Sequence, residues 1–396
     1  MGGKPLALYV HIPFCVRKCA YCDFLSAPAS EDMIESYVNL LCEEIERKAV
    51  RYPGYRVRTV FFGGGTPTVL KVEQLDSILC KLDKHFSIFG ERFASRREAE
   101  EPEITLECNP GTADRDGLRR LREAGFNRLS IGLQSAHNEE LRKLGRIHTW
   151  EEFLESWYQA REAGFRNINV DLMAALPGQK VESYVNSVER VAGLSPEHIS
   201  AYSLIIEEGT PFYEKYGEAD RQRRRDGEDR EHLLPGEEEE REMYELTGEI
   251  LAKNGYRRYE ISNYARPGRE CRHNTTYWRR GDYLGFGLGA ASLMENVRFA
   301  NASDLKEYEK GLCPGAHRLT VQEQMEEFMF LGLRLTEGVT RGEFRDCFHV
   351  PIEDIYGETL KKLETQGLLR REKERIYLTE RGIDLSNMAL AEFLLE

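Results

Sequence analysis

Three cysteines crowd into one short segment near the N-terminus: Cys15, Cys19 and Cys22, spaced C-x3-C-x2-C. Thiolates are soft ligands that suit iron–sulfur clusters and zinc. A structural zinc site takes four closed ligands, and no obvious fourth stands here. Three thiolates on a cubane leave one iron corner open to substrate or cofactor. On spacing alone, a zinc site with a distant fourth ligand or three packed thiols are alternatives. The remaining cysteines, Cys42, Cys80, Cys108, Cys271, Cys313 and Cys347, are scattered and read as reduced, packed or incidental thiols.

The cysteine loop must be held by whatever precedes it, and residues 6–10 form an apolar run that reads as a strand. Similar runs lie at 57–62, 104–107, 128–131, 167–172 and 198–203, separated by helical patterns. In the first of these, Ile34, Tyr37, Val38, Leu41 and Ile45 recur at helical spacing behind a candidate N-cap, Ser30. Further helices are expected at about 71–86, 114–124, 150–163 and 181–193, with Gly125 and Gly164 at helix C-termini. Six strand–helix units in series predict an α/β fold, a partial or near-closed parallel (β/α) barrel. In such barrels chemistry gathers on the loops after the strands.

Those loops carry polar residues in step. The second strand runs into Gly63-Gly64-Gly65-Thr66-Pro67, where glycines admit a ligand close to the backbone. Glu107 ends the third strand, Gln134 follows the fourth with Arg146 twelve residues on, and Asp171 ends the fifth. A carboxylate can bind ribose hydroxyls, and arginine can pair with a carboxylate. Taken singly, each is an ordinary surface or capping residue; together they mark one face.

The rest of the chain sets limits. Net charge is −13, which argues against general nucleic-acid binding. No run approaches the roughly 18 apolar residues of a membrane helix, and the first eight residues leave no room for a secretory core, so a cytoplasmic protein is expected. Residues 214–242 are densely charged and read as a solvated loop and helix face, with an electrostatic docking segment as the sharper alternative. From about Thr320, a helix with Val321, Met325, Phe328 and Met329 on one face precedes a helix near 355–363 and two short strands, as in a winged helix. Its excess of acidic side chains favours a structural or interaction role over DNA binding. The expected domains are 1–210 (barrel core), 211–245 (linker), 246–316 (core extension) and 317–396 (winged-helix-like).

With Tyr21 just before the third cysteine, the loop is similar to the signature of the radical S-adenosylmethionine (SAM) family. There the open iron of a four-iron four-sulfur cluster chelates SAM, and one electron cleaves the sulfonium to a 5′-deoxyadenosyl radical. Motifs from Tyr9 to about Ser292 resemble the branch that holds oxygen-independent coproporphyrinogen III dehydrogenase and the heme chaperones. The resemblance implies cluster ligation by Cys15, Cys19 and Cys22. It also implies SAM contacts at Tyr9, Tyr21, Gly64, Gly65, Thr66, Glu107, Gln134, Arg146, Asp171, Ile205 and Ala291. The dehydrogenase carries a fourth cysteine two residues after the third, where Phe24 stands here, and a longer N-terminal extension than the 14 residues before Cys15.

His273-Asn274-Thr275-Thr276-Tyr277-Trp278 looks like the H-N-x-x-Y-W motif of the chaperones. Neutral imidazole is a common heme ligand, and Tyr277 and Trp278 offer flat apolar surface. On the residues alone, a His–Asn turn packed on core aromatics fits as well. The implied cargo is heme, ligated by His273, with respiratory heme proteins as recipients and an electron donor such as a flavodoxin. A homodimer and peripheral membrane association are further expectations. The alternative activity is the dehydrogenase's oxidative decarboxylation in porphyrin biosynthesis.

Overall fold

The computed structural model describes residues 3–89, 101–217 and 233–395. Strands β1 (Lys4–Ile12), β2 (Tyr55–Gly64), β3 (Glu103–Cys108), β4 (Arg128–Gln134), β5 (Ile168–Ala174) and β6 (His198–Ser203) pair in parallel in chain order. Helices α1 (Glu31–Ala49), α2 (Val72–Phe86), α3 (Arg115–Ala124), α4 (Asn138–Leu144), α5 (Trp150–Glu162) and α6 (Val181–Leu194) connect them. Ser30 caps α1 by accepting from Met33 N at 3.3 Å, and Glu31 and Asp32 complement the helix dipole. The apolar stripe of α1 packs against the outer face of the sheet and α2.

Side chains alternate across each strand. The outward set, including Leu8, Val10, Val60, Phe62, Leu106 and Ile131, builds the main core with the helices. The inward set, lining the lumen, is polar: Thr59, Thr105, Arg128 and His198 are buried there, and Glu107 and Asp171 are half-buried. The sheet then exceeds the six expected strands. Past β6 it continues antiparallel through β8 (Asn263–Ala265) and β7 (Arg257–Arg258); past β1 it continues through β9 (Tyr283–Phe286), β10 (Ala291–Met294), β11 (Val297–Ala300) and β12 (His317–Arg318). These strands have two to four residues, too few for an alternation pattern to register in sequence.

Two residues of α1 fasten this extension. Lys48 Nζ lies 2.8 Å from Glu44 and donates to the Gly285 carbonyl (2.7 Å) and Asn301 Oδ1 (2.9 Å). Glu44 accepts from Gly287 N, Asn301 Nδ2 and the Tyr308 hydroxyl at 2.7–2.8 Å.

Of the charged 214–242 segment, residues 218–232 lie outside the described ones, and Glu237–Lys253 forms a helix. The last part of the chain has its own core around Phe344, Tyr356, Leu360, Ile376 and Phe393. It holds helices Val321–Gly332, Arg341–Phe348 and Ile352–Thr365 and a sheet of β13 (Val339–Thr340), β15 (Arg375–Leu378) and β14 (Leu369–Glu372). No helix among the described residues is long and apolar enough to cross a membrane.

Because Lys48 is the buried partner of Glu44, Lys48→Met should cost about 3–5 kcal/mol in denaturant unfolding by stranding a charge, whereas the double variant with Glu44→Gln should recover much of it.

Candidate functional site

The cysteine loop leaves β1 at its C-terminal end and is tied down along its length. Phe14 bridges to Ala27, Cys15 N donates to the Ala27 carbonyl (3.2 Å), and Cys22 N to the Cys19 carbonyl (3.3 Å). Ala20 N bonds the Leu144 carbonyl (3.1 Å), and Ala20 O accepts from Phe212 N (3.0 Å). His11 reaches from β1 to the Leu25 carbonyl at 2.9 Å. The glycine run explains how β2 passes so close: a Cβ on Gly65 would meet the Phe14 carbonyl oxygen at 2.4 Å. Gly64 adopts φ +109°, and a Cβ there would strike the His11 ring at 2.5 Å.

All three cysteines are free thiols and partly exposed. The Thr66 hydroxyl points at Cys15 Sγ (3.5 Å) and Arg146 Nη1 at Cys19 Sγ (3.6 Å). Burial pushes the Cys22 thiol up. Asn109 joins the two donors, giving Nδ2 to Thr66 Oγ1 and taking Arg146 Nη2 on Oδ1, both at 2.7 Å. Arg146 also bonds the Gly132 carbonyl. Among the described residues, no three His, Cys, Asp or Glu side chains stand close enough to hold one metal ion. A cluster binds its thiolates on separate irons and spaces them wider than a single ion does. Three thiols on one pinned loop, two of them facing N–H or O–H donors, fit a cluster, since hydrogen bonds to ligating sulfur are how proteins tune such groups.

Most of the other expected contacts lie at the ends of neighbouring strands. Glu107 accepts from Gly64 N at 3.2 Å. Burial, then the charge of Asp171, pushes its carboxyl up to about 8. Asp171 accepts from Asn169 Nδ2 at 2.7 Å, and burial pushes it up as well. Gln134 sits at φ 77°, costly for a non-glycine residue, and the Tyr202 hydroxyl holds its amide oxygen at 3.0 Å. Tyr9 donates to or accepts from His11 at 3.0 Å. Tyr21 lies half-buried against Phe212. Ile205 is 68% exposed on the loop after β6, and Ala291 is exposed at the start of β10. Neither side chain joins this network. Asn109 and Tyr202, which join it, were not expected; each follows or ends a strand, where the barrel rule points.

His273, the expected heme ligand, lies inside the fold. It is 1% exposed, with Nδ1 2.8 Å from Thr59 Oγ1 and Nε2 2.8 Å from the Tyr277 hydroxyl. Its ring stacks on Phe61, and burial lowers its pKa to about 3. Both nitrogens are engaged, so no lone pair is left for heme iron in this conformation. Trp278 meets the Arg334 guanidinium at 4.3 Å, tying the motif to the C-terminal unit. The motif here is a packed turn, because the lumen's polar inward face offers the imidazole two partners.

Raised in the fold, the Glu107 pKa favours the protonated form. Its contribution to stability is complete below the unfolded value of about 4.5 and drains away as pH climbs towards 8. Glu107→Gln mimics the neutral acid. Its unfolding free energy should gain on the parent between pH 5 and 8, by up to roughly 1.4 kcal/mol per pH unit, in denaturant titrations across that range.

The chain matches the model of the radical SAM superfamily over residues 9–191 and that of the HemN C-terminal domain over 319–385. It is 37% identical to the heme chaperone HemW of Lactococcus lactis, with 100% of this chain and 99% of that protein covered. It is 36% identical to the Bacillus subtilis heme chaperone HemW, with 98% of each covered. Among solved structures, coproporphyrinogen III oxidase (HemN) from Escherichia coli, a radical SAM enzyme, superposes with TM-score 0.81 at 26% identity, covering 100% of this chain and 91% of that one. Cluster loop, glycine-lined strand end and full-length likeness agree: the chain belongs to the radical SAM superfamily, in the family of the HemW proteins.

Proposed function

We propose that this chain is a heme chaperone. In this reading it holds a four-iron four-sulfur cluster on Cys15, Cys19 and Cys22, binds SAM over the ends of β1–β5, and passes heme to respiratory heme proteins. The observation that carries it is the pinned three-cysteine loop with donors aimed at two of its sulfurs, in a chain alike over its full length to proteins named heme chaperone. Bound there, the cluster would supply an open iron corner and an electron.

The chain's own residues do the rest. Arg146 and Thr66 hold thiolate charge by hydrogen bonding. Glu107 and Asp171 present carboxyl groups to the amino group and ribose hydroxyls of SAM, and the cation of the bound ligand would favour their ionised forms. Gly64 and Gly65 let its amino acid moiety approach the backbone, with Tyr9, Tyr21, Gln134, Ile205 and Ala291 completing the contacts. Residues 1–210 serve as cofactor core, 211–245 as linker, 246–316 as its extension and 317–396 as an interaction domain. A flavodoxin-type donor, homodimerisation and peripheral membrane contact belong to the same reading. His273 is not assigned as the heme ligand.

The likeness to coproporphyrinogen III oxidase supports a second reading, oxidative decarboxylation of coproporphyrinogen. Phe24, 62% exposed, puts no sulfur at the position where that enzyme's fourth cysteine is expected. Anaerobic turnover assays separate the two, since only the second yields protoporphyrinogen.

Anaerobically reconstituted protein should contain iron and acid-labile sulfide, and hemin should produce a shifted Soret band. Cys19→Ser should lose most of the cluster chromophore and keep the fold. His273→Ala should leave the Soret titration unchanged while lowering stability by about 2–4 kcal/mol. Absence of any Soret shift with the intact cluster would rule out the chaperone reading, and loss of the shift in His273→Ala alone would restore that residue as ligand.

A further inference from the structure

A chain of hydrogen bonds crosses the lumen below the candidate nucleotide site. Asn169 Nδ2 donates to Asp171 Oδ1 (2.7 Å) and to Ser130 Oγ (2.8 Å). Its Oδ1 faces His198 Nδ1 at 2.6 Å and accepts from Ser200 Oγ at 3.1 Å. His198 Nε2 meets the Tyr259 hydroxyl at 2.9 Å, and that hydroxyl accepts from Cys271 N at 3.3 Å. Asn169 and His198 are buried.

The chain has one self-consistent direction. A carboxylate needs a donor, so the Asn169 nitrogen faces Asp171 and its oxygen faces His198. An amide oxygen only accepts, so His198 carries its proton on Nδ1. Nε2 then accepts, and Tyr259 donates. Reversing any link turns the next. With the proton on Nε2, Nδ1 would repel Asn169 Oδ1, and the flipped amide would set its oxygen against Asp171.

The far end is mechanically placed. Tyr259 O accepts from Thr336 N at 3.0 Å, and Glu260 forms an antiparallel bridge with Leu335. Buried Glu260 lies 3.6 Å from Arg334, which stacks on Trp278. The last side chain of the relay therefore sits on the segment that seats the C-terminal unit.

We propose that Asn169, His198 and Tyr259 are positioning residues for Asp171, and that through them SAM affinity is coupled to the seating of the C-terminal unit on the barrel. This rests on reading Asp171 as a nucleotide contact. Ligand held by Asp171 fixes the amide, the amide fixes the imidazole tautomer, and the imidazole holds Tyr259 and its strap. Such coupling is reciprocal, and a thermodynamic link of this kind typically spans about 5- to 150-fold in affinity.

The test uses the full chain with its cluster reconstituted anaerobically. SAM is titrated against the electron paramagnetic resonance spectrum of the reduced cluster, and hydrogen exchange over residues 333–340 is followed with and without SAM. In the parent, SAM should slow exchange there. Tyr259→Phe keeps the ring and removes the donor. It should weaken SAM about tenfold, with the same iron content and end-point spectrum, and abolish the exchange response. Asn169→Ser, remote from the C-terminal unit, should do likewise. Parent-like SAM affinity in both variants overturns the positioning role. An exchange rate in the parent that ignores SAM overturns the coupling. If the parent itself binds no SAM, the reading of the site falls first, and this inference with it.

Discussion

A buried polar lumen is the constraint on which the rest of this structure depends. Parallel strands covered by helices on one face must send every second side chain inward, and here that inward set carries Glu107, Arg128, Asp171 and His198 in place of aliphatic layers. Buried polar groups are stabilised where partners are supplied, and the lumen is cross-linked strand to strand: β4 to β5 through Ser130 and Asn169, β5 to β6 through Asn169 and His198. The same rigidity aims Arg146 and Thr66 at the cysteine loop. Outward, the aliphatic set and the helices carry the stabilising burial.

Much of the framework was legible in the residues. Runs such as 104–107 and 198–203 sit within a residue or two of β3 and β6, because continuous apolar and β-branched runs between helical patterns are a strong signal. Ser30 and Gly125 marked real helix ends, since capping is local chemistry. The polar residues after successive strands also gathered at one end, as the barrel rule demands. What stayed hidden depends on long-range pairing. β7 and β8 are too short to show a period, and the Gly285 and Asn301 partners of Lys48 lie more than two hundred residues away. Arg128 and His198 open their strands, so they read as strand boundaries, not lumen groups.

His273 shows why a motif needs its surroundings. An imidazole beside a tyrosine and a tryptophan suggests a porphyrin platform. Burial against Phe61, with Thr59 and Tyr277 on its two nitrogens, makes it a rivet between the lumen and the helix Arg272–Trp278. Both Thr59 and Phe61 come from β2, and nothing near residue 273 in the chain announces that contact. A single hydroxyl at Tyr259 likewise gains meaning only from what its two ends touch.

The pairing of β1 with β9 has a temporal consequence. Ala7 to Val10 hydrogen-bond on one side to β2 and on the other to Tyr283–Phe286. During synthesis the second edge has no partner until some 275 further residues have emerged, on the order of tens of seconds at ordinary elongation rates. Through that interval an apolar strand edge stands bare, directly upstream of three cysteines. The growing chain thus carries a bare apolar edge for most of its synthesis, and the closing of β9 on β1 covers it.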